Sequence, residues 1–197
     1  MKQLFLILPV FVVVGCSGGD SSQFMPLAKG KEWGYEVRAG FQRNISTLRV
    51  VEPSAVGSVK GWRLVGSLGE SRMAWKDSKL VVSEFSNCRF SVPVPILDTA
   101  KIPAKSKSQG DAFSQAHTWK GKMESFGVIR PCGATLRQRQ TKLEGNKADL
   151  VQTILELSVG GATMEIRTWF ERGKGIVKQE QRTNGNLVVA MDLLKYE

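Results

Sequence analysis

Residues 175–197, GIVKQEQRTNGNLVVAMDLLKYE, decide the fold class. The dipeptide Asn184-Gly185 is a strong signal for a two-residue β-hairpin turn, because such turns need positive φ at both central residues. The flanking segments, Ile176–Arg182 and Asn186–Tyr196, combine β-branched with long polar residues and have no helical period. We therefore predict two antiparallel strands joined by a tight turn.

The same alternation of short strands and turns continues upstream. Gly160-Gly161 predicts a second hairpin, between strands at Lys147–Val159 and Thr163–Glu171. Further strands are predicted at Lys31–Arg38, Asn44–Glu52, Lys60–Ser67, Glu70–Lys76, Lys79–Phe85, Gln115–Met123, Ser125–Arg130 and Ala134–Leu143. The fold class is therefore all-β, either an antiparallel sheet or an open half-barrel.

The length of the chain and the positions of its prolines indicate one domain with an internal repeat. The 197 residues suffice for about one domain. Three prolines, Pro93, Pro95 and Pro103, predict a linker in the middle of the chain. Similar three-strand meanders occur on either side of it, so the domain, residues 24–197, can be divided into duplicated halves at 24–98 and 99–197.

The first residues have the pattern of an export signal. A positive start with Lys2 precedes an apolar run, Leu4–Val14, that is too short to span a membrane, which takes roughly 20 residues. Val13-Val14-Gly15-Cys16 follows, and it resembles the lipobox of bacterial lipoproteins. The resemblance implies removal of residues 1–15, diacylglycerol on Cys16 and N-acylation of the new terminus; the alternative is an ordinary cleaved signal.

Residues 16–23 then form a small, polar tether between lipid and domain. The residue after Cys16 is Ser17. An Asp at that position would resemble lipoproteins that are retained in the inner membrane, and this chain has none there. We therefore expect a lipid anchor in a bacterial membrane of the cell envelope, the outer one if the source has two membranes.

Two segments carry a second resemblance, Phe24–Tyr35 and Thr168–Glu180. Their Pro-Leu, Gly, Trp and Tyr spacing and the closing Trp-Phe, Gly and Val-Lys hairpin are similar to a group of uncharacterised exported bacterial proteins. The resemblance implies an antiparallel β-rich domain and brings no catalytic residues. A more distant likeness is to periplasmic lipoprotein carriers, whose curved sheet holds acyl chains.

Cys88 and Cys132 remain once Cys16 is lipidated. In an exported protein two cysteines most often pair, so we predict a Cys88–Cys132 disulfide, with two separate buried thiols as the alternative. The closed loop would contribute roughly 4 kcal/mol as an upper estimate.

No constellation of residues predicts catalysis. His117 is the single histidine and has no Cys or acidic neighbour in sequence, and no carboxylate pair, nucleophile motif or nucleotide-binding loop is present. Gly173-Lys174-Gly175 lacks a following helix, so it predicts a hairpin turn rather than a phosphate cradle. We expect no metal, no cofactor and no enzymatic activity.

The net charge of +10 comes from 28 basic and 18 acidic residues. Arg137 and Arg139 share one face of a predicted strand, whereas the lysines are dispersed along the chain. Such a surface is either simply solvated or attracted to anionic lipid headgroups or wall polymer; nucleic acid is not expected for an exported protein.

The chain has five tryptophans. We predict that they anchor the core, with a ligand groove lined by some of them as the alternative: Trp33, Trp62, Trp75, Trp119 and Trp169.

Together these features predict a membrane-anchored lipoprotein that acts as a binding or structural module of the cell envelope. The alternative function is a carrier that shields acyl chains inside a curved sheet. A carrier requires an apolar cavity, whereas an interaction module requires a filled core.

The lipobox makes one direct prediction. In detergent phase partitioning, the wild-type protein should enter the detergent phase, because several acyl chains on one residue anchor stably. Cys16→Ser should shift the protein to the aqueous phase or leave its signal uncleaved. A processed Ser variant that stays with the membrane would contradict the assignment of the anchor to Cys16.

Overall fold

The computed structural model of the protein describes residues 21–66, 69–102, 113–125, 127–142 and 150–197. These residues form twelve strands and two short 3-10 helices, Ser21–Phe24 and Thr99–Lys101. The strands are β1 (Glu32–Ala39), β2 (Gln42–Val56), β3 (Val59–Gly66), β4 (Gly69–Lys76), β5 (Lys79–Phe85), β6 (Cys88–Asp98), β7 (Ser114–Ser125), β8 (Val128–Thr141), β9 (Leu150–Val159), β10 (Ala162–Glu171), β11 (Gly175–Thr183) and β12 (Asn186–Tyr196).

Every strand is antiparallel to its neighbours in sequence, and β12 pairs with β1. The closing register runs from Trp33 opposite Tyr196 to Ala39 opposite Val189. The all-β antiparallel prediction is confirmed, and the architecture is a closed barrel. The sequence did not distinguish a sheet from an open half-barrel or predict closure, because local sequence patterns do not show that the last strand pairs with the first.

One continuous apolar core fills much of the barrel interior. Trp33, Tyr35 and Phe170 are its largest fully buried side chains. The Tyr35 hydroxyl donates to the carbonyl oxygen of Ile176 on β11, on the far side of β12, at 2.9 Å, and burial raises the pKa of this phenol well above its usual range. The hydroxyl is therefore a neutral donor that links β1 to β11 through the core.

The outer wall carries cross-strand ion pairs. Arg63 contacts Glu52 on β2 at 2.8 Å and Glu70 on β4 at 2.9 Å. Glu84 on β5 lies 3.3 Å from Arg72 on β4 and 3.5 Å from Arg89 on β6. Each exposed pair adds at most about 1 kcal/mol, so their main consequence is a polar, charge-balanced wall.

The strand β6 is the main difference from the sequence prediction, which placed a proline-punctuated linker here. Pro95 lies opposite Val81 of β5, but the pairing of β6 with β7 covers only Cys88–Phe90. Beyond Phe90 the edge of β6 that faces β7 makes no backbone ladder, so no backbone NH is required there. Proline, which lacks this NH, is tolerated at such an edge. The prolines therefore mark a strand with one unpaired side.

A second difference concerns β8, which joins two predicted strands, Ser125–Arg130 and Ala134–Leu143. Pro131 lies opposite Lys122 of β7, while the pairing of β8 with β9 begins one residue later, at Cys132. As in β6, proline occupies a position where one strand edge is unpaired.

The two proposed halves each supply six strands, because β6 ends at Asp98 and β7 follows it. The short β6–β7 ladder lies at the junction between them. The duplication itself stays a prediction.

Gly61 provides a test of the packing between β2, β3 and β4. A Cβ added there would lie 2.3 Å from the Met73 carbonyl oxygen and 2.7 Å from Ala74 Cβ. We expect Gly61→Ala to lower the free energy of unfolding by about 1–3 kcal/mol, the usual cost of overpacking. The measurement is urea unfolding followed by tryptophan fluorescence.

Gly133→Ala is the matched control, because Gly133 also lies in a strand and a Cβ there meets no atom within 4 Å. It should change the unfolding free energy by no more than about 0.5 kcal/mol. Equal stabilities of the two variants would contradict the packing described.

Candidate functional site

The two ends of the barrel differ in how they are covered. We call one end the mouth; it carries the β1–β2, β5–β6, β7–β8, β9–β10 and β11–β12 turns. We call the other the capped end; it carries the β2–β3, β4–β5 and β10–β11 turns, and residues 21–27 pack across it. The candidate binding site is a cleft at the mouth.

The mouth cleft has a volume of about 300 Å³ and lies among the ends of β7, β8, β9, β10 and β11. Five apolar side chains account for most of its lining: Met123, Val128, Val159, Ala162 and Met164. The polar lining residues are Ser125, Thr163, Thr183 and Arg130. The cleft can therefore take a small apolar group with polar contacts along its edge.

Arg130 is the one charged residue of this lining. It shares the inward face of β8 with Val128, two residues away, because strand side chains alternate between faces. Its guanidinium lies beside the β9–β10 turn, where Nη1 would be 3.2 Å from a Cβ added to Gly160. No ion pair to Arg130 is found among the described residues, so its charge is available at the cleft.

Apolar side chains are also exposed on strands and turns around the mouth. Phe41 and Ile45 at the β1–β2 hairpin, Ile129 on β8 and Leu187 on β12 are each more than half exposed. The cleft is thus bordered by a partly apolar rim.

Cys88 and Cys132 are buried free thiols in this structure. The Cys88 Sγ lies 3.9 Å from the sulfur of Met164, beneath the cleft, and burial raises the pKa of the Cys88 thiol to about 11. Their partners on β7 are Ser125 and Gly121, four positions apart. A disulfide needs Cα atoms within about 7 Å, so its formation would require these strands to shift; the pairing stays a prediction for the exported protein.

At the capped end, residues 21–27 close the barrel. Met25 is fully buried and accepts a hydrogen bond at its carbonyl oxygen from Trp75 Nε1, at 3.0 Å. The backbone NH of Gly173 donates to the carbonyl of Gln23 at 2.7 Å. Arg172 stacks over the Phe24 ring at 4.6 Å. These contacts cover the capped end within the part of the chain that the structure describes, whereas the cleft of about 300 Å³ lies at the mouth.

A buried polar cluster spans the gap between β6 and β7 where their ladder ends. Asp98 accepts from Ser78 Oγ at 2.9 Å and from the backbone NH of Ala100 at 3.1 Å, and its other carboxylate oxygen lies 2.7 Å from His117 Nε2. Gln138, fully buried on β8, bonds both the NH and the carbonyl of Asp98, at 3.1 and 2.6 Å. We call these residues the Asp98 cluster.

The cluster sets the protonation of its carboxylate. Burial by itself raises the pKa of Asp98, but hydrogen bonds from His117, Ser78 and Ala100 outweigh burial and lower it below its usual value. Asp98 is therefore an ionised structural group. Asp98, the acidic partner of His117, is 19 residues away in sequence, so the sequence pattern could not reveal it. The two residues become neighbours only through the packing of β6 against β7.

The remaining sequence-predicted residues fall in several places. Cys16 lies outside the described residues. Arg137 is on the outer wall, paired with Glu156 at 2.8 Å. Gly173 and Lys174 lie in the β10–β11 turn, and Gly175 begins β11. Among the described residues that line the mouth cleft there is no tryptophan.

The tryptophans act mainly as packing residues. Trp33 is fully buried, Trp62, Trp75 and Trp119 pack against the main core, and Trp169 belongs to a separate small cluster with Leu150 and Val177. Within the described ranges, no three His, Cys, Asp or Glu side chains form a group that could hold a metal ion. Nor does any helix in this part of the chain have the length and hydropathy to span a membrane.

Comparison with solved structures identifies a shared fold. A protein from Parabacteroides distasonis, classed as a lipoprotein, superposes with a TM-score of 0.50 at 11% identity, covering 88% of this chain and 98% of the other. A Bacteroides fragilis protein classed as exported, with a YmcC-like fold, gives a TM-score of 0.46 at 10% identity, covering 86% and 96%. At these identities the likeness concerns the fold alone.

Sequence comparison adds one relative and no family. The chain is 27% identical over 167 residues to TBC1 domain family member 12 of Xenopus tropicalis, which covers 82% of this chain. The chain spans only 24% of the length of that relative. No family model matches.

The Asp98 cluster leads to a pH-dependent prediction. Asp98→Asn should lower the unfolding free energy by about 1.5–3 kcal/mol at neutral pH, because it removes charge-assisted hydrogen bonds. The folded-state pKa lies below the unfolded value of about 3.9, so this stabilisation is present above about pH 4 and is lost as the pH falls through the folded pKa.

Urea unfolding at several pH values between neutral and acid measures the difference in unfolding free energy between the wild type and Asp98→Asn. This difference should become smaller as the pH falls. Asp77→Asn is the control, since Asp77 is an exposed turn residue at the same end of the barrel. A gap between wild type and Asp98→Asn that stays constant with pH would contradict the assignment.

Proposed function

We propose that this protein is a lipid-anchored lipoprotein of the bacterial cell envelope that acts as a binding module rather than an enzyme. One observation carries the proposal: the interior is packed, and the sizeable cleft lies at the mouth, opposite the end where residues 21–27 enter the barrel. A lipid on Cys16 would then hold the capped end towards the membrane and present the mouth to the envelope space.

The chemistry of the cleft supports a ligand class. Its lining is mainly apolar, with methionines that adapt to irregular shapes, and Arg130 adds a positive charge at its edge. Such a site suits a short apolar group that carries a carboxylate or another anion. The volume of about 300 Å³ is small for a lipid with several acyl chains.

The acyl-chain carrier remains the second candidate, because the same apolar lining could receive the end of one chain. A carrier of whole lipids should copurify with them. Mass spectrometry of organic extracts, made from protein that lacks the anchor, separates the candidates: stoichiometric lipid favours the carrier, and its absence favours the module with a small cleft.

The binding proposal is tested with decanoate and decanol as paired probes, followed by calorimetry. Both should bind, and decanoate should lose at least about tenfold in affinity in Arg130→Gln while decanol is unaffected, since one hydrogen bond to a charged group contributes about 1.5 kcal/mol or more. Met164→Trp, which fills the cleft, should abolish binding of both.

Arg137→Gln is the matched control, because Arg137 makes an ion pair on the outer wall and does not line the cleft. Thermal unfolding verifies that each variant is folded. Binding that is unaffected by Met164→Trp in a folded variant would show that the cleft is not the site.

A further inference from the structure

The lysines, dispersed in sequence, gather at one end of the barrel. Twelve lysines fall within the described residues. Nine of them lie at the capped end, in its turns, on strand ends beside them or in the segment before β1: Lys29, Lys31, Lys60, Lys76, Lys79, Lys101, Lys142, Lys174 and Lys195. We call these nine residues the lysine face.

The arginines are used differently. Most of them lie on the barrel wall in cross-strand pairs with Glu or Asp, as Arg49 does with Glu32 at 2.7 Å. On the lysine face, only Lys174 and Lys195 make an ion pair with a described residue, Glu171 and Glu197 respectively. Lys101 Nζ donates to the Ala116 carbonyl at 2.6 Å and is therefore not counted among the lysines that dock. The wall is therefore largely neutralised, while the capped end keeps an excess of positive charge.

Among the described residues, most carboxylates of the capped end are already engaged: Glu32 pairs with Arg49 and Glu197 with Lys195. Asp98 is buried within its cluster, and Glu171 is largely buried beside Lys174. Asp77, in the β4–β5 turn, is the exposed carboxylate nearest in sequence to Lys76 and Lys79. Lysine presents a compact, solvated charge on a flexible stem, which suits contact with a fluid anionic surface.

The position of the N-terminal segment indicates that the partner of the lysine face is the membrane surface. Ser21 lies at the capped end, where its hydroxyl is 2.7 Å from that of Thr99. Four residues separate it from Cys16, and the five Cα–Cα steps between them span at most about 18 Å when extended. A lipid on Cys16 therefore keeps Ser21 within about 18 Å of the membrane surface, so that lysines of the capped end can approach it to within the Debye length of about 8 Å at physiological salt.

We propose that the lysine face docks on anionic lipid headgroups and so fixes the barrel upright, with the mouth pointing away from the membrane. The proposal rests on the lipid anchor of the proposed function and adds the orientation and the lipid chemistry. Each lysine near an anionic surface shifts the docking equilibrium by about fivefold, so several together hold a tethered domain in one orientation.

The experiment uses the full-length lipidated protein on vesicles and measures lysine acetylation site by site with mass spectrometry. The vesicles are either phosphatidylcholine alone or a mixture with phosphatidylglycerol. Lysines of the lysine face should be protected on the anionic vesicles only, and protection should disappear at about 1 M salt, where the Debye length is about 3 Å. Lys120 and Lys122, on β7, are the internal control and should label equally on both.

Two double variants sharpen the result. Lys76→Gln with Lys79→Gln should shift the docking equilibrium by about thirtyfold and reduce protection of Lys60. Lys120→Gln with Lys122→Gln removes the same charge from β7 and should leave protection unchanged.

The possible failures are distinct. Protein that does not float with neutral vesicles lacks the anchor, which overturns the proposed function and the docking that depends on it. Protein that floats but labels equally on both vesicle types overturns the docking alone. Protection of Lys120 and Lys122 together with the lysine face would also overturn it, because the barrel would then lie on its side.

Discussion

The Asp98 cluster joins β6 to its neighbours beyond the point where the β6–β7 backbone ladder ends. The β6–β7 ladder stops after three residue pairs, at Phe90. Below that point the gap is spanned by Asp98 with His117, by Gln138 with the Asp98 backbone, and by Lys101 Nζ, which donates to the Ala116 carbonyl at 2.6 Å. Buried polar groups are costly unless they are paired, so this fully bonded cluster fixes one arrangement of the junction between the two halves.

The same junction makes the two ends of the barrel different. Ser78 and Thr99 connect the Asp98 cluster to Ser21, and the residues that follow pack across the capped end. The mouth has no such covering segment among the described residues, and its cleft stays accessible. The β6 side of the junction and the cap on one end of the barrel thus share one connected set of contacts.

Much of the strand pattern could be predicted because it is local. Asn184-Gly185 forms the β11–β12 turn as expected, with Asn184 at a φ of 48°. The strand predicted at Lys31–Arg38 is found, as β1, and Trp33, predicted to be a core anchor, is fully buried. The strand β6 was missed because proline is incompatible with a fully paired strand, and the sequence does not show that one of its edges is unpaired.

The sequence by itself determined the fold class, most strand positions and the excess of positive charge, since these depend on residue type and near neighbours. The tertiary structure alone decided that β12 returns to β1, that His117 meets Asp98, and that Arg130 reaches the cleft. It also decided the lysine face: in an up-and-down barrel every second turn lies at the same end, so lysines far apart in sequence become neighbours. That convergence depends on strand count and closure, which are properties of the whole chain.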